Sequence, residues 1–272
     1  MLTKKSFGIA FAAALALGAS SAALATTIDV NGVHWDSSSP FDLTIQSLNL
    51  RETSVTNVGD VLTGYGQIGS INGNNNFCTN CDLTFTFTYT LKDNNVPGQA
   101  VFDNGSFQFY TQAPGSFNFG DPTSVGGTPW VTLTGHTAPR TGFADPNGQL
   151  YATINGTVAN PTVGSSGFGL VDATSGPAWQ FLNSNFWSDG IGGFADFQLS
   201  SSFQFFPASG CGTTPTTNLD DICTYPIEGN GSLIGKTATA VPEPAELGLF
   251  GVGLGLLGFF MWRRRKESGG QA

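Results

Sequence analysis

The chain has 272 residues, of which 40% are hydrophobic and 11% are charged, and its formal net charge is −9. An acidic chain with ten basic residues argues against a nucleic-acid partner, because such binding depends on Lys and Arg contacts to phosphates. The sparse charge argues against long solvent-facing helices, and the hydrophobic content is too high for a disordered chain.

The N-terminus has the parts of a secretory signal peptide. Two lysines precede an apolar run over residues 7–17, and Ala23 and Ala25 form a small-x-small cleavage site. We predict that residues 1–25 are a signal peptide handled by the secretion translocon and signal peptidase. A permanent anchor helix is the alternative, but the apolar run is short for a membrane span.

Alternating apolar and polar residues dominate the next segment, which we predict to be one exported domain over residues 26–235. Residues 83–91 alternate apolar side chains with Thr, the pattern of a half-buried strand. Similar alternation occurs at 43–48, 106–110, 130–134, 150–154 and 194–199. Clusters of Asp, Asn, Gly and Pro predict turns at 93–95, 103–105, 145–148 and 229–231.

These patterns predict an all-β domain, specifically an antiparallel β-sandwich of about ten to twelve strands, with a jelly roll as one form of it. The helical content that we expect is one short turn within residues 173–185.

Four cysteines occur in this exported segment, at Cys78, Cys81, Cys211 and Cys223. Export makes disulfides the expected state, and the spacing favours two local bridges, Cys78–Cys81 and Cys211–Cys223. Bridges between the two pairs and a four-cysteine zinc site are the alternatives.

Residues 26–240 contain four basic and sixteen acidic residues, a net charge of −12. Such a segment stays soluble and avoids anionic surfaces. We expect no cofactor apart from the option of a structural Ca²⁺, for which the sequence offers hard oxygen ligands in loops at Asp121, Asp145, Asn147, Asp220 and Asp221.

Motifs for catalysis are weak in this chain, and we predict that the protein is not an enzyme. Residues 64–69 match the dinucleotide-binding expression, but no helix follows to receive a pyrophosphate. His34 and His136 are available for a catalytic triad, yet the Gly-x-Ser-x-Gly elbow is absent from the sequence. Most Asp residues fall in turn signatures, so paired carboxylates for a secreted hydrolase are a minor alternative.

Three aromatic residues, Trp179, Phe186 and Trp187, cluster in a polar, Gly-rich stretch. Exposed rings on a β domain would suit carbohydrate binding. The competing interpretation is that these rings cap the core.

The C-terminus has three parts in a fixed order. Residues 236–245 form a predicted stalk that contains Pro242-Glu243-Pro244, and residues 246–262 form a predicted transmembrane helix. Its uncharged stretch, residues 247–262, has a length of about 24 Å. A basic tail, residues 263–272, follows on the predicted cytoplasmic side. The two prolines prevent regular helix and leave an extended segment just outside the bilayer.

This order of motif, apolar span and arginine cluster resembles the PEP-CTERM sorting signal. The resemblance implies processing by a membrane-embedded exosortase, with Pro242, Glu243 and Pro244 as the recognition element. It also implies that Arg263, Arg264 and Arg265 act as the stop-transfer element. Members of this family are linked to Gram-negative bacteria that make exopolysaccharide.

The resulting prediction is an exported structural or adhesive protein. It passes through a transient inner-membrane single-pass intermediate and is then delivered to the cell surface or the exopolysaccharide matrix of a biofilm. A carbohydrate-binding module on the same sorting signal is the alternative, and a secreted hydrolase is the third hypothesis.

Overall fold

The computed structural model describes residues 27–212 and 216–238 of the protein. The predicted signal peptide with its predicted cleavage residues Ala23 and Ala25, the Pro-Glu-Pro motif, the predicted transmembrane helix and the arginine cluster all lie outside these ranges. Within the two described ranges, none of the helices is both long enough and apolar enough to cross a membrane.

Antiparallel strands make up about half of the described chain and nearly all of its regular secondary structure, which confirms the all-β prediction. The strands are β1 (Thr27–Val30), β2 (Val33–Asp36), β3 (Thr44–Glu52), β4 (Val61–Ile71), β5 (Asp82–Asp93), β6 (Gln99–Gln112), β7 (Thr128–His136), β8 (Leu150–Thr153), β9 (Ser165–Ser175), β10 (Trp187–Ser188), β11 (Phe194–Ala195), β12 (Phe197–Phe205) and β13 (Ile227–Gly235). A four-residue helix, α1 (Trp179–Leu182), lies in the region where we expected one short turn.

The main sheet closes on itself. Strands β3 to β6 pair in chain order, β7 and β8 together fill the next position, and β9, β12 and β13 complete the circuit back to β3. The result is a closed, barrel-like sheet with eight strand positions, instead of the two separately bounded sheets of the predicted sandwich. Neighbours in the circuit follow one another along the chain, so the crossing connections of a jelly roll are not present in this sheet.

Two predicted turns are wrong, because residues 103–105 and 229–231 lie inside β6 and β13. In β6, Asp103 pairs with Thr90 and Ser106 with Thr88, so two residues face Tyr89 alone and form a β-bulge. A Cβ on Gly105 would lie 2.2 Å from the Tyr89 ring, which explains the glycine. Bulges and turns use the same residue types, and the local sequence does not separate them.

The predicted strand at 83–91 is confirmed as the centre of β5. Its apolar residues are buried, and the rings of Phe85 and Phe87 pack against Phe109 and Phe107 with centroids 5.5 and 5.4 Å apart. These four rings form an aromatic layer inside the closed sheet.

Glycines on β4 make room for this aromatic layer. Gly64 pairs with Phe87 and Gly66 with Phe85, and a Cβ at either position would lie within 2.7 Å of the facing ring. The dinucleotide-like string at 64–69 is therefore part of a strand whose glycines permit ring packing.

The N-terminal ribbon of β1 and β2 packs on the main sheet through tryptophan. The rings of Trp35 and Trp130 meet edge to face at 6.2 Å, and Trp130 donates its indole N–H to the Val30 carbonyl at 3.1 Å. Trp35 donates to the Thr237 hydroxyl at 2.9 Å, so the start and the end of the described chain are held side by side.

Candidate functional site

The four cysteines form two local disulfides, Cys78–Cys81 and Cys211–Cys223, as the spacing predicted. Their Cα atoms are 5.2 and 5.3 Å apart, within the usual range for a disulfide. This pairing overturns the alternatives of bridges between the pairs and of a four-cysteine zinc site.

The candidate cation ligands are spread over separate loops, where the carboxylates of Asp121, Asp145 and Asp221 have local structural partners. Asp121 accepts a hydrogen bond from the Thr123 N–H at 2.9 Å, and Asp221 accepts one from the Cys223 N–H at 2.9 Å. Asp145 accepts from the Asn147 N–H at 2.8 Å and pairs with Lys92 at 3.0 Å. Among residues 27–212 and 216–238, no three His, Cys, Asp or Glu residues are grouped to hold a metal ion. A structural Ca²⁺ stays a prediction.

The three candidate glycan-contact residues are only partly brought together. Phe186 and Trp187 pack edge to face with centroids 5.3 Å apart, and the Lys236 ammonium lies 5.7 Å from the Phe186 ring. Trp179 and Phe186 are 41% and 46% exposed, so these two rings are not core caps. The indole N–H groups of Trp179 and Trp187 donate to backbone carbonyls at 3.0 and 2.6 Å, which fixes both rings.

A polar trough on the outside of β3, β12 and β13 is a feature that the sequence reasoning missed. It has a volume of about 600 Å³ and is lined mainly by hydroxyl and amide side chains, among them Gln46, Asn75, Ser200, Ser202, Asn230 and Ser232. We call it the outer trough. Two cross-strand hydrogen bonds follow the β12–β13 register: the Ser200 and Ser232 hydroxyls are 2.9 Å apart, and the Ser202 hydroxyl donates to the Asn230 amide oxygen at 3.0 Å.

The signal for this trough is present in the sequence as the run Ser200-Ser201-Ser202 and the small residues 229–231. The sequence pattern at 229–231 predicts a turn, so it gives no indication of a surface shared with residues 200–202. Only the pairing of β12 with β13 places both small-residue segments side by side in one surface.

His136 lies between two carboxylates at the end of β7. Its Nδ1 is 2.7 Å from Asp172 Oδ2, and its Nε2 is 3.4 Å from Asp189 Oδ2. Burial alone would lower the pKa of His136, but hydrogen bonds and charge from Asp172 and then Asp189 outweigh it and raise that pKa. Asp189 in turn accepts the N–H groups of Ile191 and Gly193, both at 2.8 Å.

This histidine cluster joins β7, β9 and the β10–β11 connection, and its groups satisfy one another. His34, the other triad candidate, lies on β2 with its Nδ1 3.4 Å from the Thr79 hydroxyl. In the structure, His136 therefore links neighbouring secondary-structure elements through its hydrogen bonds to Asp172 and Asp189.

Comparison with known proteins identifies the C-terminal segment. The family model of the PEP-CTERM protein-sorting motif matches residues 240–266. The resemblance seen in the Pro-Glu-Pro motif, the apolar span and the arginine cluster is therefore confirmed. Neither the curated proteins nor the solved structures gave a match to the chain.

Proposed function

Since the chain carries the PEP-CTERM sorting motif of exported, exosortase-targeted proteins, we propose that it is a structural or adhesive protein of the cell surface or the exopolysaccharide matrix. The motif at residues 240–266 is the observation that carries this proposal. Exosortase acts on Pro242, Glu243 and Pro244 while the following apolar span holds the intermediate in the inner membrane, and the β domain does no chemistry.

The properties of the β domain support an extracellular role. Both disulfides suit an oxidising compartment, and the closed main sheet has few strand edges at which copies of the chain would aggregate. The net charge of −12 over residues 26–240 keeps the released domain away from anionic membranes.

Processing is tested by expressing the full gene in cells with and without exosortase and following the C-terminus by mass spectrometry. We expect loss of the tail only when the enzyme is present. Glu243→Ala should leave the tail uncut, whereas Glu246→Ala, which removes a carboxylate outside the Pro-Glu-Pro element, should be processed normally. An intact tail on every mature copy in cells with active exosortase would contradict the proposal.

Carbohydrate binding is a second candidate function, favoured by the outer trough and by the exposed rings of Trp179 and Phe186. Neutral hydroxyl and amide groups are suitable partners for sugar hydroxyls. Retention of the protein on exopolysaccharide should fall in Trp179→Ala and Trp187→Ala if the rings bind, and in Asn230→Ala if the trough binds. Retention that equals the wild type in all three variants would remove this candidate.

A further inference from the structure

The closed sheet encloses an interior cavity that the sorting role does not use. The cavity has two adjoining lobes of about 60 and 40 Å³, which share Glu52, Leu150, Ser201 and Phe203 in their walls. Six aromatic residues line the larger lobe: Phe85, Phe87, Tyr89, Phe107, Phe109 and Phe203. This is space for a molecule of a few non-hydrogen atoms.

A bulge in β3 turns Glu52 into this cavity. Between the pairs Gln46–Ser232 and Leu50–Gly229, three residues of β3 face two of β13, so the inward positions change from odd to even numbers. Without this extra residue, Arg51 would point inward and Glu52 outward. Instead, Arg51 lies on the other face of β3 and pairs with Glu228 at 3.0 Å.

The whole Glu52 residue is 8% exposed. Its carboxylate has no ion pair or hydrogen bond within the described part of the chain. Burial raises the pKa of Glu52 to about 8, with no nearby charge opposing it. Of the residues that line the two lobes, Glu52 and Tyr89 are the titratable ones, and none of the lining residues is basic.

A second polar group in the larger lobe also lacks a partner. Tyr89 is 1% exposed, and its hydroxyl has no hydrogen bond in the structure. Buried polar groups of native proteins are nearly always paired, so the Tyr89 hydroxyl beside the cavity requires a partner, which a water molecule or a ligand in the cavity can supply.

A wall of small residues separates the cavity from the outer trough. Ser47, Ser201, Gly231 and Ser232 line the larger lobe on the inside and the outer trough on the outside. The bulge interrupts strand pairing at this place, where the Ser47 hydroxyl accepts the Gly231 N–H at 2.7 Å in place of a ladder bond.

We propose that the interior cavity binds a short-chain organic amine, which enters from the outer trough and pairs its ammonium group with Glu52. The carboxylate supplies the opposite charge, and the surrounding ring faces attract a cation. The alkyl chain occupies the apolar lobe, and the Tyr89 hydroxyl is a further polar contact. An anion is disfavoured, because it would meet a carboxyl group with no basic residue in the wall.

Binding of an ammonium ion requires Glu52 to release its proton to solvent. Affinity for the amine therefore rises by about tenfold per pH unit below the pKa of Glu52 and levels off above it. The Tyr89 hydroxyl stays protonated over this range, because burial raises its pKa further above the ordinary value.

The test uses the full-length exported chain and three probes of matched size: n-propylamine, 1-propanol and propionate. Saturation-transfer NMR at pH 7.5 should show binding of propylamine with a Kd no lower than about 40 μM, since a ligand of four non-hydrogen atoms supplies no more than about 6 kcal/mol. We expect 1-propanol to bind at least about tenfold more weakly, and propionate not to bind.

Two variants locate the site. Glu52→Gln keeps the shape and removes the charge, so propylamine binding should fall to the level of 1-propanol. Ser201→Val narrows the entry without touching Glu52 and should weaken both probes, and it keeps the test valid if Glu52→Gln fails to fold. The proposal is overturned if propylamine and 1-propanol bind equally, if Glu52→Gln retains selective amine binding, or if only water occupies the cavity. None of these outcomes bears on exosortase processing, which is measured separately.

Discussion

The unpaired carboxyl of Glu52 makes a prediction about how stability depends on pH. Burial raises the pKa of Glu52 from 4.5 to about 8 in the folded protein, whereas the unfolded chain has an ordinary pKa. Between these values the folded state keeps a proton that the unfolded state releases. The contribution of Glu52 to the free energy of unfolding is therefore most favourable below pH 4.5, falls as pH rises to about 8, and is constant above that.

The magnitude follows from the size of the shift. Each pH unit within the window lowers the free energy of unfolding by about 1.4 kcal/mol, and the whole window amounts to about 5 kcal/mol. This is a large fraction of the total stability of an ordinary domain. Glu52→Gln places a neutral group of the same shape in the cavity, so the slope due to this residue should disappear.

The assay is urea unfolding under oxidising conditions from pH 5 to 8.5, for wild type, Glu52→Gln and His136→Gln. His136 also has a raised pKa, so its stabilisation is present below pH 6.5 and is lost as pH rises through its folded pKa. His136→Gln removes that contribution and should keep the slope between pH 5 and 6.5. A wild-type stability that is flat or rising over pH 5–8, or an unchanged slope in Glu52→Gln, would refute the reasoning.

Three further predictions concern stability, each measured by urea unfolding. Gly64→Ala forces a Cβ into the facing phenylalanine ring and should lower the free energy of unfolding by about 1–3 kcal/mol. The control Gly126→Ala has open space around it and should change the free energy of unfolding by less than about 0.5 kcal/mol. Equal effects of the two substitutions would contradict the packing argument. Cys211→Ser opens the larger disulfide loop and should cost about 3 kcal/mol, and a variant as stable as the wild type would show that the bridge does not constrain the chain. Arg51→Ala leaves Glu228 and two backbone carbonyls without their partner and should lower the free energy of unfolding by about 3 kcal/mol. Glu228→Gln should have a smaller effect, because Gln keeps a hydrogen-bond acceptor for Arg51.

Much of the secondary structure was predictable from alternation. The strand at 83–91 was recognised because Thr and apolar residues alternate without interruption, and this part of β5 indeed buries its apolar side. The failures at 103–105 and 229–231 have a shared cause, since Asn and Gly serve bulges as well as turns. Sheet closure was not predictable, because the local sequence of a strand does not determine which strands it will pair with on its two edges.

The candidate sites divide in the same way. Local cysteine pairing followed from spacing, because short loops bring sulfur atoms together wherever the fold places them. Glu52 gave no such signal: it follows an arginine at the end of a strand, which predicts an exposed ion pair. Its burial depends on one extra residue in β3 relative to β13, and register of this kind arises between strands that are far apart in the chain.

The sorting motif of the protein was recognisable from the sequence alone, because it is a linear segment at residues 240–266 whose residue types and order carry the signal. The interior cavity, the outer trough and the unpaired Glu52 and Tyr89 were decided by the tertiary structure alone. They exist because distant strands close into one sheet, and only that closure determines which side chains face inward and whether a polar group finds a partner.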